Sequence, residues 1–413
     1  MVHFPMSWSA VLGRLISCSR NEFSADKAPL VAGRCFASSS NNSPSPTFPT
    51  SSSPQKTQPG VVGFVGLGAM GSQIALNLSR SFPLVACDTS QAAVNAFIAS
   101  AAAAAAAGYP PSPPHSIAPA RSVAQLFEKA SELQEEGARQ LSPAAVLTSL
   151  PSAAAVRAAW LGEEGLIRRA AAAASRGRGA GGEATGKRGV VALVELSTIE
   201  PRTALELSAA VDKENETSSP SPLLRFLSAP VSGGTAAAEE GTLAVLAGGP
   251  ASSLRAAAPF LAPFSSRVLH AGSAPGDGDA AKLANNLALA IQMASVAEAL
   301  SLASLLAPGS LTPRRMVEIL NQCSGRCWSS EAYPPLPELR NDYRGGFAAS
   351  LMLKDLALAR DAAAVAARKS SSFSSSWTPL GDAAAVAYRA CPGSDDFSSV
   401  FRHFYGGGKA AES

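Results

Sequence analysis

The stretch Val61–Arg80, VVGFVGLGAMGSQIALNLSR, constrains the fold more than any other part of this chain. A short apolar run, Val61, Val62, Phe64 and Val65, reads as a buried strand. It meets Gly66-x-Gly68-x-x-Gly71, and a helical pattern follows at Ile74, Ala75 and Leu78. Strand, glycine turn and helix in that order form the context a dinucleotide fingerprint requires. Gly66 permits the tight turn, and Gly68 lets the backbone approach a pyrophosphate at the helix N-terminus. Gly71 lets helix and strand pack closely. The turn as a whole, Gly66, Leu67, Gly68, Ala69, Met70 and Gly71, is the expected cofactor cradle. A second apolar run, Pro83–Cys87, ends in Asp88, at the spacing of an acid that binds a ribose 2′-hydroxyl. Thr89 and Ser90 follow it, with no Arg. A 2′-phosphate would meet a carboxylate without an adjacent cation, so NAD is favoured over NADP. A glycine-rich turn that binds nothing is the alternative, and the paired strands with Asp88 weigh against it.

At 413 residues and 46% apolar content, the chain has room for two domains and a sizeable core. The net charge of +3 carries no nucleic-acid footprint. Ser, Gly and charges interrupt every apolar run short of a membrane span, so no membrane partner is expected. The six cysteines, Cys18, Cys35, Cys87, Cys323, Cys327 and Cys391, show no zinc-type pairing, and they read as reduced thiols with no metal site. Residues 1–59 differ from the rest. Arg14, Arg20, Arg34, Lys27 and Lys56 outnumber Glu22 and Asp26, and Val11, Leu12, Leu15 and Ile16 fit one face of a short helix. A Ser/Pro-rich stretch, Ser38–Pro59, follows. This is the composition of a mitochondrial-type transit peptide, cleaved near Arg34–Ala37; a plastid leader and a disordered tail are the alternatives.

Further along, helical and strand patterns alternate. Helices are expected at Gln91–Ala107, Ser122–Arg139 and Ala153–Leu161, and strands at Ala144–Leu150, Val190–Glu195 and Leu223–Leu227. Such alternation predicts a doubly wound parallel sheet of Rossmann type. Ala99–His115, Arg168–Arg188 and Asp212–Pro222 read as low-complexity, disordered insertions. The character changes near Gly272. A long helix, Ala280–Leu306, opens an all-helical part that continues at Pro313–Gln322, Leu351–Arg368 and Pro379–Ala390. The expected organisation is a leader at 1–59, a dinucleotide-binding domain at 60–272, a helical domain at 273–405 and a tail at 406–413.

Within the long helix, Lys282 and Asn286 stand four apart and share one face. A lysine whose neighbours lower its pKa is a proton-transfer group, and Asn is able to orient a substrate beside it. A solvated lysine and a helix–helix Asn contact fit the same spacing.

The motifs GFVGLGAMG, LTSLPS, LSTIEP, APVSGG, AAKLANN and LKDLALA stand in the order found in the β-hydroxyacid dehydrogenase family. The chain resembles that family over most of Val61–Phe404. Ser324–Ser330, Tyr333, Gly345-Gly346-Phe347 and Asp396–Phe401 resemble the branch of it that acts on 3-hydroxyisobutyrate. The resemblance implies NAD-dependent oxidation of (S)-3-hydroxyisobutyrate to methylmalonate semialdehyde, a step of valine breakdown in the mitochondrial matrix. It makes Lys282 the catalytic base, and Asn286, Ser232, Gly233, Gly234 and Ser197 the substrate-binding residues. It adds Leu150, Pro151, Thr198 and Lys354 to the cofactor site, and it implies a homo-oligomer, dimer or tetramer. Arg326 and Trp328 fall in a loop near the substrate, without assigned roles. The sister activities on glyoxylate, succinic semialdehyde or tartronate semialdehyde are the nearest alternatives, and a non-catalytic NAD-binding module is another. The sequence departs from the family pattern at Ser228 and Glu195, where Asp is usual, at Ala155, where Asn is usual, and in a shorter Tyr333–Tyr343 loop.

Overall fold

Val62–Val65, buried at all four positions, forms strand β1 at the centre of the fold. In this computed structural model the described residues are 60–106, 116–133, 143–176, 190–218, 224–368 and 378–405. The chain divides into two compact units, Met1–Thr57 and Gln58–Ser413. The leader, its short helix, Cys18 and Cys35 lie outside the described residues, as does the tail.

Strand β1 pairs in parallel with β2 (Leu84–Cys87) on one side and β4 (Ala145–Thr148) on the other. Strands β3 (Ile117–Ala120), β5 (Val191–Glu195) and β6 (Leu224–Ser228) extend the parallel sheet. The order β3-β2-β1-β4-β5-β6 is that of a doubly wound Rossmann sheet. Its strand order reverses between β1 and β4, which places a ligand crevice at their carboxyl ends. Strands β1, β2, β4 and β5 are buried at every position, as a parallel sheet covered by helices demands, while the edge strand β3 is buried only at Ala120. Val85, Val146, Leu193 and Phe226 point into one core with Leu126, Trp160 and Leu166. Phe64, Leu84, Leu147 and Val194 point into the other with Ile74, Leu78 and Phe264.

Three expectations need correction. The sheet is not parallel throughout. Strand β8 (Leu243–Gly248) runs antiparallel to β6 and to the short β7 (Val231–Ser232), and β9 (Ser265–Gly272) then pairs in parallel with β8. The second correction concerns the three insertions. Helix α1 is Ala69–Ser79 and α2 is Gln91–Ala106, so the latter runs through the start of the first insertion. Helices α3 (Val123–Glu132) and α4 (Ala153–Leu161) precede α5 (Leu166–Arg176), which takes up the start of the second insertion. Leu166, Ile167, Ala170, Ala171 and Ala174 of α5 are buried at helical spacing. Helix α6 (Pro201–Ser218) runs through the start of the third. Alanine is the strongest helix former, and its small side chain fills a core without announcing itself as hydrophobic pattern. The remainder of each insertion lies outside the described residues.

After α7 (Gly234–Glu240) and α8 (Ala251–Leu261), helix α9 (Asp277–Leu306) opens the helical layer. Its 30 residues satisfy the length and apolarity of a membrane span, against the expectation that no run does. Buried Ala290, Met293, Val296, Ala297 and Leu300 make it the central helix of a third core. Helix α10 (Pro313–Leu320) and the short α11 (Trp328–Glu331) lead to α12 (Ala349–Ala367), α13 (Pro379–Arg389) and α14 (Val400–Tyr405). Met352 and Leu356 of α12, Tyr388 of α13 and Phe401 of α14 close this core. The Tyr388 hydroxyl donates to the Ala290 carbonyl at 3.0 Å.

Candidate functional site

The glycine turn after β1 leaves no room for side chains at two of its three glycines. Gly66 has φ +98°, and a Cβ there would lie 2.1 Å from the Ser149 carbonyl oxygen. A Cβ on Gly71 would lie 1.9 Å from the Gly66 carbonyl oxygen. Gly68 differs: a Cβ there meets nothing within 4 Å. Gly68 is also the N-cap of α1 and makes no side-chain capping bond. The first turn of α1, Ala69, Met70 and Gly71, therefore opens onto free space, where helix N–H groups suit an anion. Asp88 borders the same turn. Its Oδ2 accepts from the Leu67 N–H and its Oδ1 from the Ser90 N–H, each at 2.7 Å. The carboxylate is thus fixed while its remaining lone pairs stay available to a ribose hydroxyl. An open cradle at Gly68 beside an oriented acid fits a dinucleotide. Asp88→Ala is expected to weaken NAD binding by ~1.5–3 kcal/mol, about 10- to 100-fold in Kd. Titration with NAD and NADP checks this, and NADP binding should change little.

The ends of β4 and β5 are joined by a residue that was read only as a departure from pattern. Glu195 is fully buried. Its Oε2 accepts from the Thr148 hydroxyl at 2.6 Å and from Trp160 Nε1 at 3.0 Å, and its Oε1 from the Ser197 N–H at 2.7 Å. The Leu150 N–H donates in turn to Ser197 Oγ at 2.7 Å. Burial pushes the Glu195 carboxyl up, and these donors pull it back. Leu150 and Ser197 are thereby brought together; Pro151 is exposed and Thr198 half-buried beside them. A lone acid ending the apolar run VALVE was the available signal, because a buried charge demands partners.

Lys282 lies on α9 and is only 8% exposed. Burial lowers its pKa to about 8; Asp355 opposes that shift and Lys354 adds to it. Asn286, one turn on, donates to Asp355 Oδ2 at 2.6 Å, and both are buried. Lys354 Nζ stands 3.2 Å from Asp355 Oδ1. The predicted Lys282, Asn286 and Lys354 are thus assembled around Asp355 of α12, which beside Lys354 reads in the sequence as half of a surface ion pair but is buried. Ser232, Gly233 and Gly234 form the turn from β7 into α7, with φ +141° at Gly233 and +72° at Gly234. Ser232 is half-buried and the two glycines are exposed. Among the described residues no side-chain hydrogen bond joins this turn to Lys282 or Asn286. Trp328 stacks on Tyr333, ring centroids 5.0 Å apart. Chemically, the arrangement offers an amine that sheds its proton near neutrality, a fixed amide and a dinucleotide cradle.

Residues 61–272 match the family described as the NAD-binding domain of 6-phosphogluconate dehydrogenase. Residues 276–403 match the family described as NAD-binding of NADP-dependent 3-hydroxyisobutyrate dehydrogenase. A probable mitochondrial 3-hydroxyisobutyrate dehydrogenase of Arabidopsis thaliana is 34% identical over 376 residues, 87% of this chain and 91% of the relative. An NAD-dependent L-serine dehydrogenase of Pseudomonas aeruginosa is 32% identical over 335 residues, 79% of this chain and 91% of the relative. The structure of a Mycobacterium tuberculosis 3-hydroxyisobutyrate dehydrogenase with L-serine superposes with a TM-score of 0.60 at 29% identity, over 83% of this chain and 98% of that one.

Proposed function

This chain belongs to the β-hydroxyacid dehydrogenase family of NAD-dependent oxidoreductases, and on that premise we propose that it oxidises (S)-3-hydroxyisobutyrate to methylmalonate semialdehyde. The observation that carries the reading is the buried Lys282, with its pKa lowered to about 8, one turn from an Asn286 held by Asp355. Lys282, once it has shed its own proton, takes the hydroxyl proton of the substrate and passes it to solvent. Asn286 keeps its amide fixed, its nitrogen donating to Asp355 and its oxygen accepting from Asn285, and in that orientation it holds the substrate beside the lysine. Ser232, Gly233 and Gly234 bind the substrate carboxylate, partly through backbone N–H groups. Gly66–Gly71 and Asp88 would hold the pyrophosphate and ribose of NAD, Leu150, Pro151, Thr198 and Lys354 would complete its site, and Ser197 would contact the substrate. Bound NAD supplies the hydride acceptor for the carbinol carbon.

The leader composition and the mitochondrial names of relatives support action in the mitochondrial matrix, within valine breakdown. Exposed Leu302, Leu305 and Leu306 on α9 support a homo-oligomer formed through the helical part, which we take to begin near residue 273. A second reading, oxidation of L-serine, is favoured by the serine dehydrogenase among the relatives and by the serine complex. Both substrates are β-hydroxyacids and would meet the same lysine. The test is absorbance at 340 nm with (S)-3-hydroxyisobutyrate, L-serine, 3-hydroxypropionate, glycerate and 4-hydroxybutyrate, each with NAD and NADP. The highest kcat/KM is expected for hydroxyisobutyrate with NAD. A higher value for serine would move the assignment to the second reading.

A further inference from the structure

Helix α9 is seated on the sheet almost without side chains. A Cβ on Gly278 would lie 2.2 Å from the Leu246 carbonyl oxygen of β8, and one on Gly248 would lie 2.4 Å from the Gly278 nitrogen. A Cβ on Gly276 would collide with Pro201 at the start of α6. These glycine contacts bring the backbones close but give no directional bond.

One bond does. The Ser228 hydroxyl, at the end of β6, donates to Asp279 Oδ2 at 2.6 Å. Ser228 is fully buried and Asp279 is 1% exposed. Among the described residues this is the one side-chain hydrogen bond that ties the first turns of α9 to the sheet. Its two ends lie close in sequence to the two halves of the proposed chemistry. Asp279 precedes Lys282 by three residues, nearly one helical turn. Ser228 leads directly into Ala229-Pro230-Val231-Ser232-Gly233-Gly234. Ser228 also registers against Glu195 of β5 and Gly248 of β8, at the centre of the carboxyl edge of the sheet. A buried carboxyl with one oxygen bonded and the other, Oδ1, unpartnered is an expensive feature for a helix that three glycines already seat.

We propose that Asp279 is a positioning residue for the reaction: clasped to Ser228, it sets the distance between Lys282 and the turn that binds the substrate carboxylate. This rests on the reading of Lys282 given above. A lysine displaced by about 1 Å loses on the order of 100-fold in rate, so the clasp acts on kcat and not on cofactor affinity. Burial and the nearby Glu195 push the Asp279 carboxyl up to about 8, so a neutral amide at this position preserves both the bond and the local charge balance.

The experiment compares Asp279→Ala, Ser228→Ala, the double variant and Asp279→Asn in the full chain, with kcat expressed per bound NAD. Normalising in this way removes any loss of folded protein, which a merely structural role would cause. Both single alanine variants should lose about tenfold or more in kcat per bound NAD, with KM for the hydroxyacid within about threefold of the parent. The double variant should be no worse than either single one, because both remove the same bond. Asp279→Asn, which still accepts from Ser228, should recover most of the rate. The inference is overturned if the single variants keep the parental kcat per bound NAD, or if Asn is as impaired as Ala. Should Asp279→Ala not fold, Ser228→Ala and Asp279→Asn decide by the same criteria. Lys282→Ala, run in parallel, separates the two levels. If it retains full activity, the reading of the lysine fails and the clasp with it. If only the lysine variant is inactive, the clasp alone is refuted.

Discussion

Lys282→Ala is expected to lower kcat for hydroxyacid oxidation by about 10²–10⁴-fold, the usual contribution of a positioned general base. NAD binding should survive, because none of the glycine turn, Asp88 or the Glu195 hub touches the lysine. The pH dependence follows from the same amine. Burial lowers its pKa to about 8, so below that value the lysine holds a proton and is unable to take another. The kcat/KM for oxidation should therefore rise with pH up to about 8 and level off above it. Reduction of the aldehyde needs the protonated lysine as donor, so its profile should run the other way and fall above about 8. Steady-state assays in both directions across pH check the sign. A limb in the same direction for both reactions would remove Lys282 from proton transfer.

The glycine turn gives the second large effect, through a contrast between two neighbouring substitutions. Gly71→Ala places a methyl group 1.9 Å from a backbone oxygen, where no side-chain movement relieves it. Helix α1 must shift off β1, and overpacking of this kind costs about 1–3 kcal/mol or more. NAD binding should be lost by calorimetric titration, and the melting temperature should fall by several degrees, at roughly 2–4 °C per kcal/mol. Gly68→Ala meets nothing within 4 Å in the protein, at an ordinary φ of −68°. Its melting temperature should stay at the parental value or rise slightly. Its NAD affinity should nevertheless fall, because the methyl group occupies the cradle that the pyrophosphate needs. Equal stability with unequal affinity is a result that a turn binding nothing would not give.

What the sequence disclosed and what it hid divide along chain separation. The turn from β1 into α1 is local, and its three glycines mark it directly. Lys282 and Asn286 are also legible, since four residues on a helix is one turn. Asp355 reads only as a surface partner of Lys354, because the Asn286 it holds lies 69 residues away. Glu195 was hidden as a hub because Thr148 and Trp160 stand 47 and 35 residues away. Nothing in a linear pattern says that Thr148, Trp160 and Glu195 meet. The edge of the sheet failed for another reason. Strand β9 carries Arg267 and His270 and exposes Val268 and Leu269, so it lacks the continuous apolar run of a central strand, and nothing in the apolar run of β8 states that it pairs antiparallel. Helix α5 failed because Ala170, Ala171 and Ala174 read as low complexity, although burial at helical spacing makes them core.

The proposed reaction transfers a hydride from the carbinol carbon of a β-hydroxyacid to NAD. The most direct measurement uses (S)-3-hydroxyisobutyrate carrying deuterium at both hydrogen positions of C3, incubated with the chain and NAD, with mass spectrometry of the reduced cofactor. One deuterium per NADH formed, absent with Lys282→Ala, is the predicted result. NADH without deuterium, or no NADH from a chain that binds NAD with the expected affinity, would contradict it.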